Sequence, residues 1–175
     1  TDACGNYDTT SSTFTIEDNT APDITPATEN MTVECGDGNS AQLTAWLTSN
    51  GGASATDNCG DVNWSNDFTS LSDDCGATGS ATVIFTATDE CLNTSTTTAI
   101  FTIEDNNGPA ITPATENMTV ESDCSGNVSE FNAWLADSGG AETSDDCSGV
   151  AIAWTNNYQS SNWVSTCGEN GSATV

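Results

Sequence analysis

A stretch of 21 residues occurs twice, and this repetition constrains the fold more than any other feature of the chain. FTIEDNTAPDITPATENMTVE, at 14–34, returns as FTIEDNNGPAITPATENMTVE at 101–121, with three differences at an offset of 87 residues. TDAC at 1–4 returns at the same offset as TDEC at 88–91. Further pairs follow in the same order: AQLTAWLTSNGGA with SEFNAWLADSGGA, TDNCGDVNW with SDDCSGVAIAW, and DDCGATGSATV with STCGENGSATV. Their offsets grow through short insertions in Gly-, Ser- and Asp-rich stretches, which is where surface loops around a fixed framework accept extra residues. A unit of this length is of domain size. The expected organisation is the end of one repeat at 1–19, a complete repeat at 20–106 and an incomplete next repeat at 107–175, both termini falling inside the array.

Within the repeat, the segments ITPATENMTVE, DVNWSNDF, GSATVIFTATD and TSTTTAIFTIED are rich in Thr, Val, Ile and Phe, partly alternate, and are bounded by Gly, Asn and Asp. These are strand signals. One segment differs: in AQLTAWLTS the apolar Leu43, Trp46 and Leu47 recur at helical spacing, so it reads as a short helix. Several short strands with polar turns, repeated in tandem, predict an all-β chain of immunoglobulin-like β-sandwich repeats, each with one short helix. Trp46, Trp64, Trp134 and Trp154 are expected in the sandwich cores. The alternative for them is an exposed platform that stacks on sugars.

Charge narrows the function. The 26 Asp and Glu residues face no Lys, Arg or His, for a net charge of −26. Phosphate binding needs cationic side chains, so nucleic acid is excluded as a partner, and an anionic membrane surface is disfavoured. No apolar run approaches the roughly 20 residues of a membrane-spanning helix, so membrane insertion is not expected. Disorder is disfavoured too, because 35% of the residues are hydrophobic and five Trp, five Phe and eight Cys are present. Eight cysteines without His and without a CxxC pair argue against zinc and for disulfides in an oxidising compartment.

Strand direction sorts the cysteines. If the first strand runs from Ile24 to Glu34, Cys35 lies at the downstream end of the repeat. The last strand, Thr94 to Glu104, must run the same way to reach the next repeat, and Gly79 to Thr88 is its expected hairpin partner. Cys75 then starts downstream and Cys91 ends upstream, with Cys59 beside it. Of the connectivities open to four cysteines, this favours Cys35 with Cys75 and Cys59 with Cys91. The same rule pairs Cys124 with Cys167 and leaves Cys4 and Cys147 without partners.

The acids are gathered by the same sorting. Glu17, Asp18, Asp57 and Asp89 fall at the upstream end of the complete repeat, near Asn19, Asn58, Asp61 and Asn93, and Glu104, Asp105, Asp145 and Asp146 are their counterparts one repeat on. A cluster of hard oxygen ligands at a repeat junction suits calcium, which takes about 6–8 oxygens in flexible geometry. The alternative is that Asp and Asn only shape turns.

With TDNCGDVNW, TATDECLNTSTTT and FTIEDNNGPAITP quoted, the chain resembles the HYR-like (hyalin-repeat) domains of very long bacterial surface proteins, including gliding-motility adhesins of Bacteroidetes. The resemblance covers essentially the whole chain. It implies an extracellular filament exported by the type 9 secretion system, moved by the gliding machinery and gripping an external surface or polysaccharide. The linker IEDNTAP also looks like the calcium-stiffened junction of cadherins. One position departs from the common pattern: Leu92 stands where the TDxCGN turn of such repeats has Gly. The expected job is structural and adhesive, as a stalk built of neighbouring repeats, as repeats that themselves bind a surface ligand, or as a generic surface-protein spacer unrelated to motility. Catalysis is not expected, because the paired carboxylates lie in turns that repeat.

Overall fold

The computed structural model describes residues 1–123, 127–147, 151–160, 163–167 and 170–175. It is β-rich with two short helices. The chain divides into two compact units: one holds Thr1–Met31, Thr44–Thr69 and Thr82–Ile100, the other Thr32–Leu43, Ser70–Ala81 and Phe101–Val175.

The longest strands are β5 (Gly79–Thr88) and β6 (Thr94–Glu104), joined by a tight turn. Together with β2 (Met31–Glu34) and β4 (Asn63–Asn66) they form a four-stranded sheet in the order β2-β6-β5-β4. Alternate residues of a strand face opposite sides. Val83, Phe85 and Ala87 of β5 and Ala99, Phe101 and Ile103 of β6 accordingly supply the buried face, and Phe85, Phe101 and Val83 are its largest fully buried side chains. β4 pairs antiparallel with β5, Trp64 opposite Ala87.

The expected strand from Ile24 to Glu34 is two strands. β1 (Asp23–Ile24) pairs antiparallel with β3 (Ala55–Thr56), whereas β2 lies beside β6. Between them Pro26 has no N–H to offer a ladder, and Glu29 turns its own N–H to the carbonyl of Gly51 at 2.9 Å. The chain changes partners across that stretch.

Helix α1 (Asn39–Thr48) follows β2 and turns its apolar spacing to the core: Trp46 is buried, with Leu43 and Leu47 half-buried. Trp46 meets Phe85 edge to face at 5.2 Å, and its indole N–H donates to the carbonyl of Glu29 at 3.1 Å. The turn after the helix needs glycine. Gly51 has φ 63°, and a Cβ there would stand 3.2 Å from Thr28 and 3.4 Å from Phe85.

In the second unit the same local pieces recur. β7 (Ala110–Ile111) pairs with β8 (Thr143–Ser144) as β1 pairs with β3. In α2 (Val128–Ala136), the Trp134 indole donates to the carbonyl of Glu116 at 3.0 Å, the counterpart of the Trp46 bond. β9 (Val164–Cys167) and β10 (Asn170–Ser172) pair antiparallel. Burial does not recur. Trp64 of β4 and Trp134 are only half-buried and Trp154 is 41% exposed, contrary to the expected core placement. Phe85 of β5 packs edge to face on Trp46 at 5.2 Å, whereas Phe131, a ring beside Trp134, belongs to the same helix and lies 6.2 Å away.

Candidate metal centres

Two acid clusters lie at equivalent positions of successive repeats. In the first unit, carboxylate oxygens of Asp18, Asp57 and Asp89 all lie within 4.8 Å of one another. Three segments deliver them: the IED linker, the turn after β3, and the turn between β5 and β6.

Asp89 is the anchor. It is 3% exposed, and its Oδ1 and Oδ2 accept from the Asn93 backbone and side-chain N–H groups, each at 2.8 Å. The Asn93 side chain also donates to the carbonyl of Asp18 at 3.2 Å, tying the linker to the turn. Burial pushes the Asp89 carboxyl up, but hydrogen bonds from Asn93 and from the backbone of Cys91 and Leu92 more than offset it, leaving the carboxyl below its usual value. It is therefore held as the anion.

Asp57 is half-buried. Its Oδ1 accepts the N–H of Cys59 at 2.9 Å, whereas its Oδ2 is buried and has no hydrogen-bond partner among the described residues. A buried carboxylate oxygen left unpaired is costly. Asp18 turns its Oδ1 to the N–H of Thr20 at 3.0 Å. Three carboxylates this close repel one another, and with no Lys, Arg or His in the chain their neutralisation must come from outside it. Glu17 and Glu104, expected among the ligands, are exposed and stand outside both clusters.

Cys59 reports on this field. The Asp18 carboxylate, followed by burial and by Asp57, Cys91 and Asp89, holds its thiol above the usual range. Cys59 and Cys91 thus do meet the same environment, but both are exposed thiols and not the expected disulfide.

The second cluster is in the second unit, where Asp105, Asp145 and Cys147 approach within the same 4.8 Å. Asp145 accepts the N–H of Cys147 at 2.8 Å, just as Asp57 accepts that of Cys59, and Asp105 accepts the N–H of Asn107 at 3.1 Å. Cys147 is bonded to Cys35 across 112 residues, with Cα atoms 5.7 Å apart. A disulfide sulfur is not a thiolate ligand, so the carboxylates of Asp105 and Asp145 are what this cluster offers a cation.

That bond corrects two sequence-based expectations: Cys35 does not pair with Cys75, which is an exposed thiol, and Cys147 is not without a partner. The sorting by strand direction weighed only cysteines of one repeat against each other. The Asp145–Cys147 turn enters the same end: the carbonyl of Cys147 accepts the N–H of Ala77 at 3.0 Å, two residues beyond Cys75. A sulfur makes one disulfide, and Cys147 takes Cys35. Cys4 is an exposed thiol, and the expected Cys124–Cys167 pair lies outside the residues whose side chains are described.

Glu34 was not singled out by sequence reasoning. Its Oε1 accepts the backbone N–H of Asn106 at 2.9 Å and the Asn107 side chain at 2.8 Å, and its Oε2 accepts the Asn106 side chain at 3.2 Å. The Asn pair in the linker was the available signal. No protein-family model matches the chain, and no curated protein is significantly similar to it, so the functional reading rests on these local geometries.

Proposed function

We propose that the chain is a run of tandem immunoglobulin-like β-sandwich repeats from a long extracellular filament on a bacterial cell surface, serving as the stalk of a gliding-motility adhesin exported by type 9 secretion. The observation that carries this reading is that the same wiring appears twice. Trp46 to Glu29 is matched by Trp134 to Glu116, and Asp57 to Cys59 by Asp145 to Cys147. Side chains spent on repeating one architecture suit a spacer better than a reaction centre. The Cys35–Cys147 bond, which joins successive repeats, supports a load-bearing role. A net charge of −26 adds repulsion between like surfaces, which discourages collapse and lateral clumping.

Calcium is the cofactor of this reading, and the unpaired buried Oδ2 of Asp57 between Asp18 and Asp89 supports it. Chelator titration followed by small-angle scattering tests it: calcium should lengthen and stiffen the particle, and an unchanged profile would sink the idea. Cys59 gives a local readout. A cation beside Asp18 offsets the field that raises the thiol, so alkylation of Cys59 should speed up when calcium is added, and Asp57→Asn should abolish the response.

A second reading is direct binding of polysaccharide or another external surface, favoured by the exposure of Trp154 and Trp163 at 41% and 37%. Under it Trp154→Ala should lower retention on immobilised polysaccharide, whereas a stalk is indifferent to that change.

A further inference from the structure

The linker between β6 and β7, residues 105–109, contains an Asn–Gly pair, Asn107–Gly108. In such a pair the backbone nitrogen of the second residue can reach the side-chain amide carbon of the first and close a five-membered ring. Glycine permits this most readily, because no Cβ shields its nitrogen. The equivalent linker one repeat earlier lacks the pair: Thr20 and Ala21 stand where Asn107 and Gly108 stand.

Three Asn–Gly pairs occur in the chain, and the structure separates them. Asn50–Gly51 lies in the turn after α1, where Gly51 is buried and its carbonyl accepts the N–H of Glu29 at 2.9 Å. The N–H of Gly52 donates to the carbonyl of Ser49 at 2.9 Å, so ring closure there has to disrupt a packed turn. Asn170–Gly171 lies in β10, held by its pairing with β9. Asn107 and Gly108 are both exposed and outside any helix or strand, and the Gly108 N–H makes no hydrogen bond among the described residues. A Cβ built on Gly108 would meet nothing within 4 Å, so the space around the attacking nitrogen is open.

The Asn107 amide is also in use. It donates to Glu34 Oε1 at 2.8 Å, beside the backbone and side-chain donors of Asn106 at 2.9 and 3.2 Å, so Glu34 clamps the linker through three N–H groups. We propose that Asn107 is a site of spontaneous deamidation and that its conversion opens this clamp. The Gly108 nitrogen, losing its proton to solvent, bonds to Cγ of Asn107. The Cγ–Nδ2 bond breaks and Nδ2 leaves as ammonia, taking a proton from water. Water then opens the succinimide at either carbonyl, giving aspartate or isoaspartate. Either product replaces a donor to Glu34 with a second carboxylate, and the chain has no Lys, Arg or His to neutralise the pair. The clamp on this linker therefore has a lifetime set by Asn107. This inference does not depend on the stalk reading.

Timed incubation of the full chain in mildly alkaline buffer, followed by pepsin digestion and peptide mass measurement, tests this. Residue 107 should convert first, and its isoaspartate should accept methyl groups from an isoaspartyl methyltransferase. Residues 50 and 170 should lag by at least about tenfold in the folded chain and draw level in urea, where the turn and the strand are lost. Gly108→Ala should slow conversion at 107 by at least about tenfold. Asn107→Asp reads the clamp: exchange of the Asn106 backbone N–H, held by Glu34 at 2.9 Å, should accelerate by at least about tenfold. An amide at 107 that persists, or equal conversion of all three pairs in the folded chain, overturns the site. Unchanged exchange at Asn106 in Asn107→Asp overturns the opening of the clamp.

Discussion

The complete repeat and the copy that follows it share their turns and differ in their burial. The helix turns an indole N–H to the carbonyl of a Glu in both, and the two-residue strands pair in the same register in both. Yet Trp46 is 5% exposed while Trp134 is half-buried, and Val33 at 9% corresponds to Val120 at 42%. These pairings recur with the sequence that makes them. Burial of Trp46 needs Phe85 of β5, which arrives from far along the chain.

The largest test of this contrast is the core. Phe85→Ala removes a fully buried ring that packs on Trp46 and should cost about 3–5 kcal/mol in denaturant unfolding. Trp134→Ala should cost under about 2 kcal/mol, because its ring is not enclosed. Equal losses would break the comparison.

Next in size is the cross-link. Cys147→Ser should lower stability by about 2–4 kcal/mol under oxidising conditions and leave it unchanged under reduction. Pepsin, which does not need Lys or Arg, should release a Cys35–Cys147 peptide from the native chain. Recovery of Cys35 joined to Cys75 would reverse the assignment.

The TDxC turn allows a finer comparison, since it occurs at 1–6 as well as at 88–93. Asp2 accepts from the backbone and side chain of Asn6 as Asp89 accepts from those of Asn93, and both carboxyls lie below the usual value. A carboxyl depressed in the folded state stabilises it above the unfolded pKa, about 3.9, and loses that contribution as pH falls below it. The stability of the native chain relative to Asp89→Asn should therefore shrink as the pH falls from about 5 to below about 3. A constant difference would show that the carboxylate charge at Asp89 is not what holds the turn.

The smallest effect is expected at Leu92, which is 80% exposed with φ 72°, where the other turn has Gly5 at φ 89°. A side chain in this left-handed region is strained, so Leu92→Gly should stabilise the chain by about 0.5–1 kcal/mol in thermal unfolding.

Much of this was legible in advance. The bounds of β5 and β6 follow from alternating Thr, Val, Ile and Phe between polar turns, and α1 follows from Leu43, Trp46 and Leu47. Asp18, Asp57 and Asp89 could be gathered at one end by strand direction alone. Glu17 could not be separated from Asp18 in that way, because neighbouring residues on a linker point to different sides.

What the sequence determined by itself are the repeat, the two long strands β5 and β6 and the short-range turns, because a side chain that bonds the backbone within four residues needs no other part of the molecule. The tertiary structure alone decided which sulfur Cys35 meets, which Trp residues are enclosed, and which carboxylate oxygen is left buried without a partner. Those depend on segments far apart in the chain arriving at one place, and a repeated sequence offers several such arrivals of equal local merit.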